Sequence, residues 1–223
     1  LSDRVEALSL VLLVAGASGL FVIAVYVLVH RLSGTDAAGP PTPAMHLLFV
    51  GFIVFPGAAI PLQFAAPVVP ILIWYCVIAG LLLAAITGRP LVTGNMPPPL
   101  RPLQAIQLAP PAFIATGASA TGQTELATFG LAWAVVVAAL LLVRARWLTE
   151  GGFSGFWSAF TFPVAGFAGA LLAVHAEQGW EALRIAGGLI LIATTLYIPV
   201  IAWKILKMWA SGTLAAKTNA SIA

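Results

Sequence analysis

Residues 153–174 read FSGFWSAFTFPVAGFAGALLAV, a hydrophobic stretch without a charged residue and with Pro163 near its middle. Two earlier hydrophobic stretches carry a proline in the same place, at Pro110 and Pro56, so the spacing is 53 and then 54 residues. A proline inside a lipid-buried helix removes a backbone hydrogen bond, and the freed carbonyl must find a partner in protein or water. We therefore expect these three stretches to be broken helices on the inside, with the intervening stretches as regular helices that face lipid.

The composition is that of an integral membrane protein. Hydrophobic residues make up 61% of the chain and charged residues only 8%, whereas about a quarter of an ordinary soluble domain is charged. No charged residue lies between Asp36 and Arg89, which leaves room for two spans of about 20 residues each. The sequence predicts an all-α, polytopic helical bundle in which residues 1–223 form a single transmembrane domain.

Hydropathy along the chain predicts seven spans, and the connections between them are too short for a further domain. The proline-rich connection 88–102, GRPLVTGNMPPPLRP, is predicted to interrupt the helices. The predicted spans are 7–31, 44–62, 67–87, 103–121, 126–147, 153–174 and 183–209.

The lysines and arginines are distributed unevenly between the two sides that seven spans define. Arg4 and Arg184 fall on the N-terminal side. The opposite side holds the other eight, which are Arg31, Arg89, Arg101, Arg144, Arg146, Lys204, Lys207 and Lys217. Because positive residues are enriched on the cytoplasmic side, we expect a multi-pass protein of the cell's inner (plasma) membrane with a cytoplasmic C-terminus.

The sequence offers no cluster of residues that would carry chemistry within the membrane. His30, His46 and His175 lie near helix ends without the pairing that a metal or haem site needs, and Cys76 is interpreted as a small buried hydrophobe. The sequence predicts no enzyme, no cofactor, no metal site and no nucleic-acid partner. The acidic residues all lie at or beyond span ends: Asp3, Glu6, Asp36, Glu125, Glu150, Glu177 and Glu181.

Three blocks of the chain resemble the closing spans of the tellurite-resistance/dicarboxylate transporter family, which includes the slow anion channels of plant guard cells. The most specific element is FWSAFTFPVAG, residues 156–166. The resemblance is strong from about residue 105 onward and weak before residue 45. The blocks are LAPPAFIATGASATG (108–122), GGFSGFWSAFTFPVAGFAGALLAVHAEQG (151–179) and YIPVIAWKILKMWASGTL (197–214).

The resemblance implies ten spans arranged as five hairpins in a ring, in which the first helix of each hairpin lines a central pore. It also implies a homotrimer in the lipid bilayer that passes small anions. On that template the chain looks like spans four to ten, so we expect a three-helix segment upstream of it.

In this family a phenylalanine of the ninth span plugs the pore, and Phe162 is the residue that matches it. The resemblance therefore implies that Phe162 is the pore gate. From the prolines themselves, Pro56, Pro110 and Pro163, we expect kinks that expose backbone dipoles and small side chains to a narrow path. The residues expected to line that path are Gly57, Thr116, Gly117, Ser119, Thr161 and Gly166.

The predicted cytoplasmic mouth is basic, with Arg89, Arg101, Arg144 and Arg146 placed to raise the local anion concentration. The leading hypothesis is an anion channel or channel-like exporter for small inorganic anions or organic acids. One alternative is a proton-coupled carrier for C4-dicarboxylates or tellurite, and another is a membrane anchor subunit. A carrier needs a titratable group or a binding arginine at mid-depth, and the predicted spans offer neither, so the sequence favours the channel.

Overall fold

The computed structural model describes residues 3–34, 41–59 and 68–214, and every regular element in those ranges is a helix. The predicted all-α transmembrane bundle is confirmed. The α-helices are α1 (Asp3–Leu32), α2 (Met45–Phe49), α3 (Phe55–Ala59), α4 (Val68–Thr87), α5 (Arg89–Thr93), α6 (Ala109–Ala120), α7 (Thr124–Val143), α8 (Ala145–Thr149), α9 (Phe162–Gln178) and α10 (Glu181–Ala210). Three 3-10 helices precede α3, α6 and α9, at Gly51–Val54, Pro98–Leu108 and Gly155–Phe160.

Five segments in the described ranges are long and apolar enough to cross a membrane, and they correspond to five of the seven predicted spans. They are Val5–Leu32, Val68–Thr87, Thr124–Val143, Gly155–Gln178 and Glu181–Ala210. The other two predicted spans, 44–62 and 103–121, are divided into shorter helices of different type. Residues 60–62 of the first of these lie outside the described residues.

The proline-rich connection 88–102 is more helical than the sequence analysis predicted. It contains α5, and the 3-10 helix Pro98–Leu108 begins within it. The predicted interruption is present, because α4 ends at Thr87. Short helices still form within the connection, because the fixed φ of proline suits the first turn of a helix and its missing N–H is not needed there. Pro90 lies at the start of α5, and Pro98 starts the 3-10 helix.

The helices pack as hairpins that share an inner layer. α6 packs against α7, α9 packs against α10, and α6 and α9 also pack against each other. The two backbones of α6 and α7 approach closely at Gly130, where an added Cβ would lie 2.8 Å from the backbone nitrogen of Ala115. Only glycine permits this approach, so α6 is held tightly against α7.

Burial is greatest in α6 and least in α1 and α10. Eight of the twelve residues of α6 are buried. In the most apolar part of each long helix, only 6% of the residues are buried in α1 and 17% in α10. The broken span Gly155–Gln178 is 44% buried, and the regular helices α7 and α4 are 39% and 28% buried. Because exposed apolar surface of this extent requires lipid rather than water, the regular helices form the outer surface of the bundle, as the proline pattern predicts.

Candidate pore

The three periodic prolines occupy the same structural position. Pro56, Pro110 and Pro163 are each the second residue of an α-helix that follows a 3-10 helix, and all three are buried. At this position the missing proline N–H leaves no intrahelical hydrogen bond unmade. The expected kinks are therefore changes of helix type, from 3-10 to α, rather than bends in continuous α-helices.

Outer helices supply hydrogen bonds to the backbone just before two of these changes. The hydroxyl of Tyr197 in α10 donates to the carbonyl of Phe160 at 2.7 Å. The thiol of Cys76 in α4 points to the carbonyl of Val50 at 3.8 Å, a weak bond because a thiol is a weak donor. The Val50 carbonyl also accepts from the N–H of Ile53 at 3.0 Å, so the Tyr197 hydroxyl is the stronger support that an outer helix gives to the broken backbone.

Phe162 lies at the start of α9 with its ring stacked on that of Phe113 from α6. The ring centroids are 4.6 Å apart and the planes differ by 12°, and Phe162 remains 46% exposed. The stack depends on Gly166, because a Cβ there would lie 2.6 Å from Cε2 of Phe113. A glycine one turn after Phe162 therefore makes the room in which Phe113 supports the Phe162 ring.

On the C-terminal side of Phe162, one face of α9 carries only small side chains. We call this face, together with Phe162 at its start, the α9 open face. Its other members, all alanines or glycines, recur every three or four residues on the same side of the helix. A Cβ on Gly169 would meet nothing within 4 Å. These members are Ala165, Gly166, Gly169, Ala173 and Ala176, all of them half-buried or exposed.

The predicted lining residues fall into different environments. Gly57 is exposed with open space around its Cα, and Thr116 is half-buried with its hydroxyl bonded to the carbonyl of Ala112 in its own helix. Gly117 is buried, and a Cβ there would lie 3.5 Å from Ile73 of α4. The position of Gly117 therefore fits helix packing.

The remaining two lining candidates are hydroxyl residues. Thr161 donates to the carbonyl of Ser158 at 2.7 Å, within the turn that precedes α9. The hydroxyl oxygen of Ser119 in α6 is buried, and no hydrogen-bond partner for it lies among the described residues. The structure thus brings Phe162 and Gly166 together on one face. The gate role of Phe162 and the lining role of all six candidates stay predictions.

The basic end of the bundle is organised around Trp147. The Arg101 guanidinium lies 5.0 Å from the centre of the Trp147 ring and forms an ion pair with Glu150. Arg144 approaches the same ring at 6.0 Å and donates to the carbonyl of Val92. Because Arg101 is paired, its charge is largely neutralised locally. Arg89 and Arg146 are exposed near the same end of the bundle.

A family model described as SLAC1, voltage-dependent anion channel, matches residues 2–206 of the chain. The chain belongs to this family. None of the curated proteins and none of the solved structures compared with the chain matches it.

Membership in the SLAC1 family confirms the resemblance to the tellurite-resistance/dicarboxylate group and its slow anion channels. It identifies the protein as a multi-pass member of a family of membrane anion channels and transporters rather than of enzymes. Among the hypotheses, this agrees with the channel and the carrier, and it lends no support to the membrane anchor.

This SLAC1 family member also contains a buried polar network that the sequence analysis missed. Nε2 of His46 donates to Oε1 of Gln107 at 2.9 Å, and Nε2 of Gln107 donates to the Thr87 hydroxyl at 2.8 Å. Gln104 donates to the carbonyl of Thr87 at 3.1 Å. All four residues are less than 5% exposed. The signal in the sequence was the pair of glutamines in LQAIQL, residues 103–108, since an apolar span holds amides only when they have partners.

Proposed function

We propose that this SLAC1 family member conducts small anions, inorganic ions or organic acids, along the α9 open face. Phe162 acts as the gate, and Phe113 holds it in the closed position. The observation that carries the proposal is the placement of a single exposed aromatic ring at the head of a face that otherwise consists of alanine and glycine. Removing or rotating that one ring would clear the face.

The closed state follows from the apolar character of the ring. A narrow hydrophobic constriction excludes water, and an ion that keeps its hydration shell cannot cross it. The stack on Phe113 is worth about 0.5–1.5 kcal/mol beyond the area that it buries. A stabilisation of this size favours the closed position of the Phe162 ring and is small enough to be overcome without disrupting the bundle.

Anion preference is proposed to arise at the basic end and not along the path. Arg89, Arg144 and Arg146 would raise the local anion concentration through their field, without entering the membrane. Arg101 contributes less because Glu150 pairs with it. The α9 open face offers no titratable side chain for coupling to protons, which favours a channel over a coupled carrier.

The orientation and the assembly belong to the same proposal. The eight basic residues on one side support a cytoplasmic C-terminus and an inner-membrane location. The resemblance to slow anion channels supports a homotrimer.

The proposal is tested by the substitution Phe162→Ala in the protein reconstituted into liposomes, with anion current or anion efflux as the readout. The matched control is Phe129→Ala on α7, because Phe129 is 45% exposed and Phe162 is 46% exposed. We expect Phe162→Ala to raise the anion flux, since it removes the hydrophobic constriction, and Phe129→Ala to leave it unchanged. Equal flux in the wild type and in Phe162→Ala, with normal folding, would refute the gate.

A further inference from the structure

A deep apolar groove runs along the outside of the bundle between α7–α8 and α10. It consists of two adjoining cavities of about 590 Å³ and 270 Å³, which share Thr149, Phe160 and Val164 in their linings. α9 and the 3-10 helix before it form the floor, and side chains of the outer helices form the walls. The groove thus opens on the side of the bundle that faces lipid.

One end of the groove is positively charged. Lys204 lines the larger cavity, and its ammonium lies 5.0 Å from the centre of the Phe153 ring. In the part of the chain that the structure describes, no carboxylate pairs with Lys204. The ammonium is therefore available to an anionic group that enters the mouth of the groove.

The length of the groove fits a lipid chain. Ile190 lines the far cavity and Lys204 the near one, and this separation along α10 corresponds to about 21 Å at 1.5 Å per residue. One leaflet of the hydrocarbon core is about 15 Å thick. A chain that follows the groove from the level of Lys204 would therefore lie against protein for the whole depth of its leaflet.

We propose that this groove binds one anionic phospholipid, with the phosphate against Lys204 and an acyl chain on the floor formed by Phe160 and Val164. The charge is complementary, and the basic side of the bundle faces the leaflet in which anionic lipids are enriched. A second copy of the chain is a poorer occupant, because an apolar helix in the groove would bury Lys204 without a partner, which is costly.

The test measures lipid binding to the intact protein in detergent by native mass spectrometry, with added dioleoylphosphatidylglycerol or dioleoylphosphatidylcholine. We expect one molecule of the anionic lipid to bind in preference to the zwitterionic one. Lys204→Gln should weaken binding of the anionic lipid about fivefold, the contribution of one basic residue near the membrane surface. Lys204→Arg should retain it.

Two matched controls separate the groove from general surface charge and hydrophobicity. Lys207→Gln removes the same charge one turn away, where the lysine lies over Trp203 and not in the groove, and it should leave the preference intact. Val200→Trp fills the groove and should abolish bound lipid, whereas Leu206→Trp, which adds the same ring outside the groove, should not.

Several results would overturn the proposal. If Lys204→Gln and Lys207→Gln weakened binding of the anionic lipid equally, the lipid would be attracted by the general surface charge and not by the groove. If Lys204→Gln and Lys204→Arg weakened it equally, the effect would come from the shape of the side chain and not from its charge. Lipid binding that survives Val200→Trp would place the lipid elsewhere. If Val200→Trp instead changed the oligomeric state, the groove would be occupied by a second copy.

Discussion

Gly166→Ala is the smallest change that disturbs the proposed gate without touching either aromatic residue. The added Cβ would lie 2.6 Å from Cε2 and 3.0 Å from Cζ of Phe113, well inside the 3.4 Å at which ordinary contact begins. α6 cannot move away, because its backbone is already in close contact with Gly130 of α7. The Phe113 ring must therefore turn, and the Phe162 ring loses its stacking partner.

The size of the effect follows from the stack that is lost. The clash lies between residue 166 and Phe113 in both the open and the closed state, so the closed state loses only the stacking energy of about 0.5–1.5 kcal/mol. At 1.4 kcal/mol per factor of ten, the ratio of open to closed protein should rise roughly 2- to 12-fold. The increase in anion flux should remain below that of Phe162→Ala, which removes the ring altogether.

The assay is anion efflux from liposomes at matched protein density, with Gly188→Ala as the control. Gly188 lies within α10, and a Cβ there would meet nothing within 4 Å, so this variant should behave as the wild type. In the Phe162→Ala background, Gly166→Ala should add little, because both substitutions act through the same ring. Wild-type flux in a folded Gly166→Ala protein, or full additivity with Phe162→Ala, would refute the reasoning.

Two further predictions concern the stability of the bundle, measured as the thermal midpoint in detergent. Gly130→Ala should destabilise the protein by about 1–3 kcal/mol, because the new Cβ would lie 2.8 Å from backbone of α6; a midpoint equal to that of Gly188→Ala would contradict this close contact. Gln107→Leu should cost about 1–3 kcal/mol, since it leaves the buried His46 and Thr87 without their partner. Gln178→Leu removes a half-buried amide bonded to Thr128 and should lower the stability less than Gln107→Leu does. Equal decreases of the thermal midpoint in the two variants would argue against a stabilising role of the buried network.

The proline period was sufficient to predict the overall arrangement of the bundle. Proline cannot sit inside a regular helix without a lost hydrogen bond, so Pro56, Pro110 and Pro163 indicated where the inner spans break. The kind of break was not predictable, because a bend in an α-helix and a change from 3-10 to α-helix carry the same proline. Contacts such as that of the Tyr197 hydroxyl with the carbonyl of Phe160, which are far apart in sequence, cannot be read from the proline spacing.

The contacts that define the candidate gate could not be predicted from the sequence either. Phe162 could be singled out only through the resemblance, since nothing local distinguishes it from the other phenylalanines. Its partner Phe113 is 49 residues away in the chain, and the need for Gly166 appears only when α6 and α9 are packed. The polar network of His46, Gln107 and Thr87 was missed for the same reason, because it joins three separate elements.

The central claim is that the α9 open face borders a water-accessible anion path, and cysteine accessibility at Gly169 tests it most directly. Gly169→Cys would place a thiol in open space on that face, and the native Cys76 is fully buried. Leu189→Cys, at a 63% exposed position of α10, is the lipid-facing control. In the Phe162→Ala background, we expect a charged, water-soluble methanethiosulfonate reagent to modify Gly169→Cys and block the anion current, and to leave Leu189→Cys unmodified with its current unchanged. An unreactive Gly169→Cys, or modification without any loss of current, would contradict the account.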